Sequence, residues 1–178
     1  ITPELWALLR SLVDLVAERW REPDYGIWEI RTEPRHYVHS KMMCWVALDR
    51  GIRIARDLDN DEDAARWEIE RDAVRADIMQ RGWNEERQAF VQHYDTTSLD
   101  AANLLMPVVG FLPGDDPKIK TTIEATLREL MRDGFVLRYR SESNVDGLPS
   151  GEGAFLACTF WLVDNLAMTG QLEEATEI

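Results

Sequence analysis

Cysteine is scarce in this chain, with only Cys44 and Cys158, each inside an apolar run where a free thiol behaves as a small hydrophobe. A disulfide framework is not suggested, and a reducing, cytoplasmic setting is the expectation. Positive charge is short as well: 20 Lys and Arg against 33 Asp and Glu leave a formal net charge of −13. That field repels phosphodiester backbones and anionic membrane surfaces, so neither nucleic acid nor membrane is an expected partner. No charge-free apolar run approaches about 18 residues, and the N-terminus lacks the basic-then-apolar order of a signal peptide. A Gly-rich phosphate loop, a Gly-x-Ser-x-Gly elbow and a Cys-x-x-Cys pair are all missing. No initiator Met stands at Ile1, and the chain opens inside a helical pattern, as a piece of a longer protein would.

What is present is helical periodicity of two kinds. The 178 residues, 45% hydrophobic and 30% charged, suit one globular domain. From 3 to 20, Leu5, Leu8, Leu9, Leu12, Leu15 and Val16 recur at helical spacing and predict an amphipathic helix with one stripe. From Ser40 the run Met42–Leu48 is apolar around nearly the whole circumference, which predicts a helix covered on all sides. A surface-type helix follows from Asp61 to Gln80, with Trp67, Val74 and Ile78 inward. The alternation then repeats: an all-round apolar segment from Ser98, a striped one carrying Ile119, Ile123, Leu127 and Leu130, and an all-round apolar one from Gly153. Asp61 and Ser98 are the expected helix caps.

Buried-type helices thus start near 40, 98 and 153, a pattern period of roughly 55 to 60 residues without repetition of letters. A double layer of α-hairpins, inner helices ringed by outer ones, satisfies that pattern. The fold class expected is all-α, about half of an (α/α)6 barrel, and its two edges offer surfaces for self-association.

The connections into the inner helices are long, while those leading out are short. All three long loops therefore fall on one face. They hold every His, most of the exposed-looking aromatics, and two acids in unusual company: Glu29 after Trp28, and Glu152 between Gly151 and Gly153. "QAFVQHY" and "FVLRYR" alternate and predict short strands. Carboxylates and rings gathered at helix N-termini make a polar cleft with apolar walls. Two carboxylates across such a cleft are the equipment of glycoside hydrolysis, one protonated for the leaving oxygen and one ionised to activate water. An indole beside Glu29 would desolvate it and favour its acid form. Trp28 or Tyr94 would cover the C–H face of a sugar, and Arg138 would hold its hydroxyls.

Other features carry less. A Glu at the position of 152 also suits an ordinary N-terminal cap. Trp45, Trp67 and Trp161 sit at core spacing. His36 and His39, near Pro34 and outside a regular helix, do not suggest a metal pair. "DLDNDED" places Glu62 where a calcium loop needs Gly.

Three blocks, "PDYGIWEIRTEPRHYVHSKMMCWVALDRGIRIA", "HYDTTSLDAANLLMPVVGFLPGDDPKI" and "DGFVLRYRSESNVDGLPSGEGAFLACTFWLVDNLAMTGQLEEA", follow one another in the order of glycoside hydrolase family 15. The chain resembles the bacterial and archaeal, glucoamylase-like branch of that family, which includes some trehalases. The resemblance implies an inverting exo-hydrolase of α-glucosides on a ring of six helical hairpins, its site at the N-terminal ends of the inner helices. It implies that Glu29 is the general acid and Glu152 the general base, with Trp28, Arg138 and Tyr139 against the sugar. Inversion requires carboxyl groups about 6.5 to 9.5 Å apart. The family's Trp-x-Arg-Asp motif, which grips the terminal glucose, has no match here, since Arg56-Asp57, Arg71-Asp72 and Arg132-Asp133 all fall inside or at the ends of helices. Six hairpins at this period would take roughly 340 residues, so the chain is expected to hold half a ring and to hydrolyse little by itself. The two-carboxylate mechanism needs no cofactor and no metal. The expected partner is an α-linked glucose disaccharide or oligosaccharide: maltose, isomaltose, trehalose and starch all remain open. A glucosidase-like helical domain that only binds glycan or protein is the alternative.

Overall fold

Thr2 begins the first helix by accepting the Leu5 amide with its side chain, and Pro3 fills the first turn, where an amide would go unused. In the computed structural model, which describes residues 1–140 and 154–178, helix α1 then runs Pro3–Arg19. Its inward face is Trp6, Val13, Val16 and Ala17. Of the expected stripe, Val16 packs inward and Leu9 is half-buried, but Leu5, Leu8, Leu12 and Leu15 are all exposed. The helix is apolar on two faces, and the branched and aromatic side chains, not the leucines, met the core.

Helices α2 (Val38–Asp57) and α3 (Asp61–Asp77) form a hairpin against α1. Its turn holds Asp59 in the left-handed region (φ 56), with the Asn60 amide donating to Ala55 at 2.8 Å. Asp61 is not the cap expected: Asn60 takes that place without a side-chain cap bond. The three helices meet where α2 has no side chain, at Gly51. A Cβ there would lie 2.8 and 2.9 Å from the two γ-methyls of Val13 and 3.4 Å from the Trp67 ring. Gly51→Ala would gain helix propensity of about 1 kcal/mol but force a stiff β-branched neighbour to move. We expect a net loss of about 1–2 kcal/mol by urea unfolding, largely restored when Val13→Ala is added.

After a π-helical turn (Ile78–Gly82), β1 (Trp83–Asn84) pairs antiparallel with β2 (Ala89–Phe90). The second inner segment is a 3-10 turn (Ala101–Leu104) running into α4 (Leu105–Val108), much shorter than its apolar length suggested. Pro107 cannot donate to the Asn103 carbonyl, and Gly110 (φ 77) ends the run. Its cap is Asp100 and not Ser98, since the Asp100 side chain accepts the Ala102 amide at 2.8 Å.

Asp116 caps α5 (Pro117–Leu130), which buries Ile119, Ile123 and Leu130 as its stripe foretold, with Leu127 partly buried. A second small ribbon, β3 (Met131–Arg132) with β4 (Phe135–Val136), leads away from it. Helices α6 (Leu156–Met168) and α7 (Leu172–Glu177) close the order. Cys158, Leu162 and Leu166 of α6 are buried, whereas Phe155, Leu156, Phe160 and Met168 are exposed. On α2, Met43 is exposed too. Inner helices buried all round were expected; among the described residues the 3-10 turn Ala101–Leu104 is so buried, whereas α2 and α6 each leave one face exposed, as befits an all-α half ring of hairpins.

Main-chain bonds lace the loops together. The Val38 amide donates to Gln92 and the Tyr94 amide to His36, both at 3.0 Å, and the Ala101 amide donates to Arg138 at 2.8 Å. The first and second long loops and the third as far as residue 140 are thereby one surface, at the starts of α2 and the 3-10 turn.

Candidate active site

The turn bearing Trp28 and Glu29 is built from its neighbours upward. Asp24 bridges to Arg35 by paired main-chain bonds at 2.9 and 2.7 Å, and its side chain accepts from the Gly26 amide and, at 2.9 Å, from Ser40. Gly26 has φ 69 and rests on a tyrosine, since a Cβ there would lie 2.9 Å from Cγ of Tyr37. A side chain at 26 would strain the backbone and strike that ring together. Gly26→Ala is therefore expected to cost about 1–3 kcal/mol through backbone strain and displacement of the turn. A lowered urea midpoint, beside an unchanged far-UV circular dichroism spectrum, would check this.

Glu29 itself adopts φ 49, a left-handed conformation uncommon for a residue with a Cβ. Its side chain is exposed. The shielding that Trp28 was expected to give it is absent among the described residues, because the indole turns away. Trp28 Nε1 donates to Asp100, lying 3.0 Å from each carboxylate oxygen. The ring is walled by Phe155 (centroids 5.9 Å, edge-on) and Trp161 (6.2 Å), and the Arg138 guanidinium stands 5.5 Å from its centroid. Arg138 is also 5.6 Å from the Tyr139 ring.

Trp28, Arg138 and Tyr139, three of the sequence-predicted residues, are thus brought together, with the Arg138 guanidinium between the two rings. Glu152 lies outside the described residues, and so does any Glu29–Glu152 separation. Tyr94 is elsewhere in its role. It is 3% exposed, its hydroxyl donates to Asp77 at 2.9 Å, His36 stacks on it, and Arg81 stands 4.4 Å from its centroid. Burial and the Asp77 carboxylate push its phenol far up. Tyr94 braces the loop and offers no face to a sugar.

The sequence reading missed Asp100. It is 4% exposed, and burial pushes its carboxyl up to about 6 against the opposing pull of the Ala102 amide, Trp28, Gln92 and the Arg138 charge. The available signal was its place: an Asp opening an apolar run on the face that carries Trp28. No cluster of three or more potential metal ligands occurs among the described residues.

Helical hairpins with an aromatic-walled acidic turn at their loop ends have the architecture of a helical glycosidase. A solved glycosidase in complex with glucose shares the fold, with TM-score 0.79 and 21% identity over 92% of this chain and 42% of that one. A wild-type glycosidase gives the same figures. The family described as Glycosyl hydrolases family 15 matches residues 1–177, and the chain belongs to it. Among its relatives, a trehalase of Mycobacterium tuberculosis is 43% identical over 100% of this chain, and a trehalase of Thermoplasma volcanium is 37% identical over 98%. The chain spans only 26% and 28% of those two proteins' lengths.

Proposed function

We propose that the protein carrying this chain hydrolyses the α-glucosidic bond of trehalose with inversion, using Glu29 as general acid and Glu152 as general base. Water attacks the anomeric carbon while its proton passes to Glu152; the carbon–oxygen bond breaks, and the Glu29 proton goes to the leaving oxygen. Trp28, Arg138 and Tyr139 line the sugar-facing wall. The observation that carries this reading is the outward presentation of Glu29 on a braced left-handed turn, in a chain 43% identical over its whole length to a trehalase. The trehalase names favour trehalose over maltose, isomaltose and starch.

The test is stereochemical. Hydrolysis of α,α-trehalose with inversion yields one β- and one α-glucose, because only one anomeric bond is attacked. Proton NMR in the first minutes, on the full-length natural chain containing residues 1–178, should show equal anomers that later drift to the equilibrium mixture. Initial release of α-glucose alone would mean retention, and the acid–base assignment would fall. No release from trehalose, with release from maltose or isomaltose, would overturn the substrate.

A further inference from the structure

We propose that Asp100 is a positioning residue for Glu29, acting through the Trp28 indole. The inference rests on the reading of Glu29 as the acid. Capping alone does not account for Asp100, since Ser or Asn would serve that end without a buried charge, and burying a charge is costly. What sets Asp100 apart is the indole from 72 residues away that both its oxygens accept. Each oxygen has a further donor: Ala102 N at 2.8 Å on Oδ1 and Gln92 Nε2 at 3.2 Å on Oδ2.

The acceptor is fixed from behind as well. Asn103 Nδ2 donates to the carbonyls of Phe90 (3.2 Å) and Val91 (2.9 Å), so the start of the inner segment is tied to the β2 ribbon. Ala101 N ties it to Arg138. Trp28 and Glu29 share a peptide bond, and Glu29 occupies a narrow left-handed well. Fixing the indole therefore fixes the direction in which the Glu29 side chain leaves the turn. An exposed carboxylate on a loop gains its aim from a buried one on a helix entrance, a division of labour suited to a group that must meet a leaving oxygen within hydrogen-bond reach.

The groups facing Asp100 are Arg138 after β4, Cys158 on α6 and Tyr37 before α2. Burial pushes Cys158 up to about 12 and Tyr37 upward, so both are neutral near pH 7 and Arg138 supplies the charge. A carboxyl pushed up to about 6 accepts the indole with both oxygens above that pH and loses one acceptor below it.

The test uses the full-length natural chain and two substrates. Trehalose needs a proton on its leaving oxygen; α-glucosyl fluoride does not. Asp100→Asn should lower kcat on trehalose by about tenfold or more with KM changed less than about threefold. On the fluoride its loss should shrink to about threefold or less, because a misaimed acid no longer matters. Trp28→Phe combined with Asp100→Asn should be no slower than the slower single variant, as two ends of one bond require. Equal losses on both substrates, multiplying effects, or an unimpaired Asp100→Asn would overturn the inference. An Asp100→Asn protein that does not fold leaves a second readout. In the unsubstituted protein, the Trp28 indole N–H, its resonance assigned by its loss in Trp28→Phe, should exchange slowly with solvent, because both Asp100 oxygens hold it. Exchange as fast as from a free exposed indole would sink the idea. If Glu29→Gln leaves trehalose hydrolysis intact, the acid assignment has failed; if it abolishes hydrolysis while Asp100→Asn behaves as wild type, only the positioning role has.

Discussion

Replacing Glu29 by Gln should lower kcat on trehalose by about 10²- to 10⁴-fold while leaving most of the rate on α-glucosyl fluoride. The amide keeps the shape of the side chain and cannot give a proton. Fluoride departs without one, so its hydrolysis reports on water activation and sugar binding alone. The left-handed turn at Glu29 also carries main-chain bonds, Glu29 N to Gly26 O at 3.3 Å and Ile30 N to Tyr25 O at 3.2 Å, which the substitution leaves untouched, as it does the Trp28–Asp100 contact. The side chain is exposed, so no core packing is lost either. A comparable loss on both substrates would mean that Glu29 is not the acid, and the search would move to other carboxylates on the same face.

Trp67→Ala should destabilise the chain by about 3–5 kcal/mol. Trp67 is fully buried, packs edge-on against Trp6 with centroids 6.1 Å apart, and lies under Gly51 where α1, α2 and α3 converge. Its indole donates to Asp14 at 2.8 Å, and Asp14 also pairs with Arg66. The alanine leaves a cavity among three helices that Gly51 cannot fill, and it strips Asp14 of one donor. Trp67→Phe should cost clearly less, since the ring volume largely remains. Urea midpoints for the two variants check the ranking; equal, small effects would mean that the three-helix junction collapses onto the vacancy.

These outcomes also mark where a sequence can be read and where it cannot. The hairpin order was legible because burial leaves a periodic trace: Ile119, Ile123 and Leu130 faced inward as their spacing required. Helix α1 was misjudged because leucine is apolar wherever it stands. Trp6 and Val13 lay on the opposite face, and spacing cannot choose between two apolar sides. The second inner segment shrank because one proline outweighs a dozen apolar neighbours. Both predicted caps were displaced by one or two residues, the usual uncertainty of a helix end.

The candidate site was legible in part. Trp28, Glu29, Arg138 and Tyr139 announce themselves by composition and by resemblance. Asp100 does not, since its meaning lies in a partner far along the chain, and nothing local separates a cap from a cap with a second duty. Tyr94 shows the converse: an aromatic on the right loop fits a platform and a brace equally until its hydroxyl is seen on Asp77.

The loops of this face hold one another by main-chain bonds, Val38 to Gln92, Tyr94 to His36 and Ala101 to Arg138. Such bonds are indifferent to side-chain identity, glycine and proline apart. Residues at these positions can therefore be exchanged over evolutionary time without unmaking the surface that displays them. A lineage could change the sugar it prefers one loop residue at a time, each intermediate still folded, and selection would act on specificity with little interference from stability.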